Sequence, residues 1–181
     1  MSPPLQVAKS VYGISSAVSR GTSSQDSQPQ SKGEQVVSTS EADSSTLQNS
    51  NRSLELALAA ARTAAENRGQ QIQVLDLRDV TPIFDYFVIV TGTSRRQLHA
   101  ISEEIDHALE DEMNDQRDGI EGYNESRWIL LDYGSVVIHL FDQETRSYYD
   151  LENLWAGAPK VDLAGVVDPS QARPLEDTKS P

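Results

Sequence analysis

The chain has 181 residues, no cysteine and a formal net charge of −13. Its length suits one domain rather than two, and the missing cysteines exclude disulfides, thiol catalysis and cysteine-based zinc sites. The negative charge argues against a surface that wraps bare nucleic acid, so DNA is not an expected partner and a basic protein is.

The first 51 residues are rich in Ser, Thr, Gln and Asn. Residues 21–50 hold almost no large apolar side chain, so burial cannot offset the entropy of ordering them. We expect a disordered tail over 1–51, a folded domain over 52–162 and a second loose tail over 163–181. Asp26 is the first acidic residue, with Lys9 and Arg20 upstream among serines. Organellar transit peptides share that acid-poor character. No stretch reaches the roughly 20 apolar residues of a membrane helix. Between residues 54 and 160 stand nine Lys and Arg against twenty Asp and Glu, so the charge belongs to the folded part.

The domain opens with a helix. Ser53 reads as its N-cap, and Leu54, Leu58, Ala61 and Ala65 share one face. Gly69 is a natural stop. Residues 72–77 form a β-rich run, and Thr81-Pro82 breaks the chain. Residues 86–90 are almost wholly apolar, as in a strand buried on both faces. The Thr-Gly-Thr-Ser of residues 91–94 ends that strand and caps a helix with Leu98, Ile101, Ile105, Ala108 and Met113 on its core side. A polar loop follows over 114–126. Residues 128–132 and 135–141 read as strands joined tightly at Tyr133-Gly134. Tyr148, Leu151 and Trp155 lie at helical spacing in a last helix over 147–155. This order predicts an α/β (α+β) domain, a mixed sheet packed with helices.

Three arrangements could carry chemistry. The turn from Gly92 to Arg96 resembles a phosphate-binding helix start, as in nucleotidyltransferases. Those enzymes need paired carboxylates on the following strand, and residues 128–132 offer only Asp132. His99, Glu103 and His107 form an i, i+4, i+8 row that could present metal ligands, but the surrounding acids make a solvated face the simpler reading. His139 stands in an apolar strand, where a structural role is commonest. No cofactor or metal is expected. The aromatics Trp128, Tyr133, Tyr148, Tyr149 and Trp155 gather in the last third among Asp132, Asp142, Glu144, Asp150 and Glu152. An aromatic centre with an acidic rim suits a partner presenting Arg and Lys.

The runs Glu121-Gly122, 128–141 (WILLDYGSVVIHLF) and 146–155 (RSYYDLENLW), with Asp76, Asp85 and residues 91–94 upstream, resemble the ribosomal silencing factor (Iojap-like) family. The resemblance implies a nucleotidyltransferase-like fold without catalytic carboxylates, and no enzyme activity. It implies binding to the large ribosomal subunit through ribosomal protein number fourteen, a block on joining of the small subunit, and repression of translation when nutrients are short. It also implies a cytoplasmic, ribosome-associated protein, or an organellar large-subunit assembly factor if the tail is a transit peptide. Some members dimerise, so a homodimer is an open expectation. By motif position the partner-facing residues would be Trp128, Asp132, Tyr133, Tyr149 and Glu152, then His139 and Arg146, with Trp128 as anchor.

Overall fold

The computed structural model describes the backbone of residues 39–172 and the side chains of residues 48–172. The expected N-terminal tail therefore lies mainly outside the described residues. The chain divides into Met1–Gln48 and Asn49–Pro181, and the second unit holds the sheet.

Helix α1 spans Thr39–Glu66, so it starts well before Ser53. Ser53 is not a cap. It is buried inside the helix, where its hydroxyl donates to the Asn49 carbonyl at 3.0 Å and lies 2.8 Å from the Ser135 hydroxyl. The buried row is Leu56, Ala57, Ala60, Ala61 and Ala64. The expected Leu54, Leu58 and Ala65 flank it, only partly buried. Four of the five residues in the buried row are alanine. Gly69 does end the helix: its amide reaches the Ala64 carbonyl at 2.8 Å, and a Cβ there would meet that oxygen and Val90 at 2.8 Å.

Strand β1 (Gln70–Asp76) pairs antiparallel with β2 (Tyr86–Gly92), across a bulge in which Gln71 takes φ 51°. All of β2 is buried, as its apolar run requires. Helix α2 (Arg95–Asp106) starts at Ser94, whose hydroxyl accepts the Gln97 amide at 3.2 Å. Its last part widens into a π-helical turn, His107–Glu112. Leu109, four residues after Ile105, is the buried position there, and the expected Ala108 is only partly buried.

The loop after it contains a strand the sequence pattern missed, β3 (Gly119–Glu121). Strands β4 (Trp128–Tyr133) and β5 (Val136–Asp142) form the expected hairpin, with Gly134 at φ 69° in the turn. The sheet order is β1-β2-β5-β4-β3, and only β2 and β5 run parallel.

The last expected helix is two helices. Helix α3 (Gln143–Tyr149) begins at Asp142, which accepts the Thr145 amide at 2.6 Å. Asp150 at φ 42° breaks it, and α4 (Leu151–Leu154) follows. Residues 159–161 then lie along the β1 edge, through Asp76 N–H to the Pro159 carbonyl and Val161 N–H to the Val74 carbonyl. Residues 163–172 are not a loose tail. Leu163 and Val167 enter the core, and Gln171, in α5 (Pro169–Ala172), donates to the Ala65 and Gly69 carbonyls. Three prolines and a polar composition hid two apolar anchors spaced one helical turn apart.

Candidate interaction face

Alternation along the strands gives the sheet two buried faces. Val136, Ile138 and Leu140 of β5 point into the core beneath α1 and α2. Val137, His139 and Phe141 point to the other face, with Phe87 of β2 and Trp128 of β4. The short helices α3 and α4 cover this second face: Tyr149 lies over Trp128 at 5.0 Å between ring centres, and Trp155 meets Phe87 edge-on at 5.6 Å.

Four of the seven residues expected to face a partner are buried. Trp128 is 3% exposed, packed between Phe141 and Tyr149, and its indole Nε1 donates to His139 Nδ1 at 3.2 Å. It supports the face from beneath and is not an anchor on it. Burial holds the His139 ring neutral and lowers its pKa to about 3. Tyr133 points to the opposite face of the sheet, where its hydroxyl donates to Asp106 at 2.7 Å and burial pushes its pKa up.

Arg146 is enclosed too. It donates through Nε to Glu152 at 2.7 Å and through Nη1 to the Thr91 hydroxyl at 2.7 Å, and Thr91 donates to Gln71 Oε1 at 2.8 Å. Burial lowers the Arg146 pKa and the Glu152 carboxylate opposes that. This chain of bonds pins the α3–α4 bend to the end of β2 and to the β1 bulge. Glu152 is thereby committed to Arg146, although partly exposed. Asp132 accepts the Gly134 amide at 2.9 Å and shapes the hairpin turn. Only Tyr149, Glu152 and Asp132 keep some solvent access, and Asp132 lies four residues along β4, about 13 Å, from the end where Trp128 pairs with Phe141.

The exposed apolar side chains are others. Tyr148 is 81% exposed, Leu154 65% and Ile83 64%. Tyr148 touches Tyr149 on α3. Leu154 precedes Trp155, and Ile83 precedes Phe84, which packs on Phe87 at 5.3 Å. Glu144 and Asp150 stand exposed beside them. On α3 and α4 the apolar side chains at the surface are thus Tyr148 and Leu154, beside an exposed Asp150 and a Glu144 that pairs with Arg127 at 2.6 Å. The sequence signal for Tyr148 is its spacing: Thr145, Arg146 and Tyr149 turn inward, which leaves position 148 outward.

The other chemical candidates come apart. Gly92 pairs with Asp142, whereas Asp132 pairs with Val137 toward the far end of β5. The phosphate-like turn and its only candidate carboxylate therefore do not converge. His99 stacks on Tyr123 at 4.1 Å and bonds the Tyr123 carbonyl and the Ser126 hydroxyl, while Glu103 accepts from the Tyr123 hydroxyl. His107 pairs with Asp111, which raises its pKa. Among the described residues no three His, Cys, Asp or Glu side chains gather as a metal site.

Comparison with known proteins bears on the family and the fold. Residues 50–181 match the family model described as "Ribosomal silencing factor during starvation". A ribosomal silencing factor of Bacillus subtilis is 42% identical over 104 residues, covering 58% of this chain and 87% of the relative. One from Halalkalibacterium halodurans is 36% identical over 113 residues, covering 62% and 96%. The maize chloroplast protein Iojap is 32% identical over 110 residues, but this chain spans only 47% of its length. A crystal structure from Chromobacterium violaceum superposes with a TM-score of 0.55 at 31% identity, covering 66% of this chain and 96% of that one. With most of its length inside the family model, the chain belongs to the ribosomal silencing factor family, which is regulatory and non-enzymatic.

Proposed function

We propose that this protein binds the large ribosomal subunit through ribosomal protein number fourteen and sterically prevents joining of the small subunit, so repressing translation under nutrient limitation. The observation that carries the reading is the α3–α4 surface, where exposed Tyr148 and Leu154 stand among acidic groups. Apolar anchors supply affinity and the acidic rim attracts a basic protein partner. Occupying the joining face makes the two binding events mutually exclusive, which needs no chemistry. The test is a sucrose gradient of purified subunits with added protein. Joined ribosomes should fall and the protein should travel with the large subunit; unchanged joining without co-sedimentation overturns the reading.

A second reading has one specific support. The mouse protein named "Mitochondrial assembly of ribosomal large subunit protein 1" is 44% identical over 73 residues, 39% of this chain and 32% of that protein. An organellar assembly role would use the same face during subunit maturation. Tagged full-length protein in cells separates the two, since organellar import places it away from cytoplasmic ribosomes. A homodimer, if formed, would show as a doubled mass in light scattering.

A further inference from the structure

We propose that Arg68, Arg95 and Arg96 form a contact patch for RNA phosphates, distinct from the α3–α4 surface. All three are exposed. The ion pairs of the described residues engage Arg52, Arg78, Arg117, Arg127 and Arg146, and none engages these three.

Their juxtaposition is built in. The Gln97 amide nitrogen donates to the Asn67 and Arg68 carbonyls at 3.1 and 2.9 Å, and its oxygen accepts from the Thr93 amide and hydroxyl. One side chain thus ties the end of α1 to the first turn of α2, which carries Arg95 and Arg96. Arg68 itself is held at φ 62°, with its amide bonded to the Ala65 carbonyl. The helix start is already filled by Ser94 and Gln97, so the guanidinium groups are what remains to bind a ligand.

The surroundings select the ligand. Elsewhere the domain is acidic and repels a polyanion, so a nucleic acid is touched at this patch and not wrapped. The patch also lies at the same end of the sheet as the acidic α3–α4 surface, because Gly92 pairs with Asp142 immediately before α2 and α3 begin. Two neighbouring surfaces of opposite sign fit a basic protein embedded in phosphate, which is the chemistry of a ribosomal surface. That choice of RNA rests on the proposed function; the position of the patch does not.

The test is fluorescence anisotropy of the full chain with a labelled RNA hairpin across a salt series. Three phosphate contacts give a slope of log K against log salt of about −2.7. Arg95→Gln with Arg96→Gln should weaken binding at least about tenfold and flatten the slope by about 1.8. Lys160→Glu carries the same charge change and should bind nearly as the unmodified chain does. Arg68→Asn, tolerated at positive φ, should add to the loss. Absence of hairpin binding, or equal loss in Lys160→Glu, overturns the patch. Co-sedimentation with large subunits separates the two proposals. If the unmodified chain binds hairpin but no subunit, the ribosome reading fails and the patch stands. If the double variant binds subunits as before at every salt concentration, the patch plays no part there and the RNA assignment fails.

Discussion

Trp128 donates its indole N–H to His139 Nδ1 at 3.2 Å, beneath Tyr149 and beside Phe141. The bond fixes the remaining His139 proton on Nε2 and makes the pair a structural unit of the covered sheet face. Trp128→Ala removes a buried aromatic and should cost about 3–5 kcal/mol. Trp128→Phe keeps most of the packing but strands the acceptor, at about 1–3 kcal/mol. Urea denaturation of both variants checks this. If Trp128 were instead a partner anchor, Trp128→Ala would keep its stability and lose only binding.

The buried imidazole also predicts how stability responds to acid. His139 titrates near 3 when folded, against about 6.5 unfolded. Below pH 6.5 the unfolded chain therefore takes up a proton that the folded chain refuses. Stability should fall with acid from about pH 6.5 toward 3, by about 1.4 kcal/mol per pH unit. His107 acts with the opposite sign, since Asp111 raises its pKa and its contribution is lost as pH rises. Denaturation at pH 7 and pH 5.5 in a His107→Gln background isolates the first effect. His139→Gln should remove that part of the slope; an unchanged slope would place the acid sensitivity elsewhere.

Arg146 is held from two sides, by Glu152 and by the Thr91 hydroxyl. Removing one member of a buried ion pair leaves the other unpartnered, a loss of about 3–5 kcal/mol. Arg146→Ala should approach that loss, moderated because Glu152 keeps some solvent access. Arg146→Lys should rescue little, because an ammonium lacks the planar fork that reaches both partners. Thermal denaturation gives the stability change. Hydrogen exchange should show the opening concentrated in α3 and α4, and uniform loss of protection would contradict a local clamp.

Part of this architecture is legible in the sequence. The unbroken apolar run of β2 marks a central strand, and Tyr133-Gly134 marks the hairpin turn. Ser53 misleads because capping and burial ask for the same hydroxyl. Only its non-local neighbour Ser135 decides between them. Trp128 and Tyr133 are five positions apart on one strand, so parity alone already puts them on opposite faces. What a linear reading cannot supply is the roof over Trp128. An aromatic looks alike in a core and at an interface until the path of α3 is known. The α3–α4 break at Asp150 is equally hidden, since a left-handed Asp carries no signal as strong as glycine.

The exposed pair Tyr148 and Leu154 carries the decisive prediction for function. Neither side chain is needed by the core, so Tyr148→Ala and Leu154→Ser should each change stability by no more than about 0.5 kcal/mol. A central interface anchor contributes about 2 kcal/mol or more, so each should weaken large-subunit binding roughly thirtyfold. Raising salt should weaken the unmodified complex through its acidic rim but leave this apolar part in place. Co-sedimentation across a concentration series measures both. Variants that remain folded and still bind as before would move the interface away from α3 and α4, and the acidic aromatic surface would then lose its claim on a basic partner.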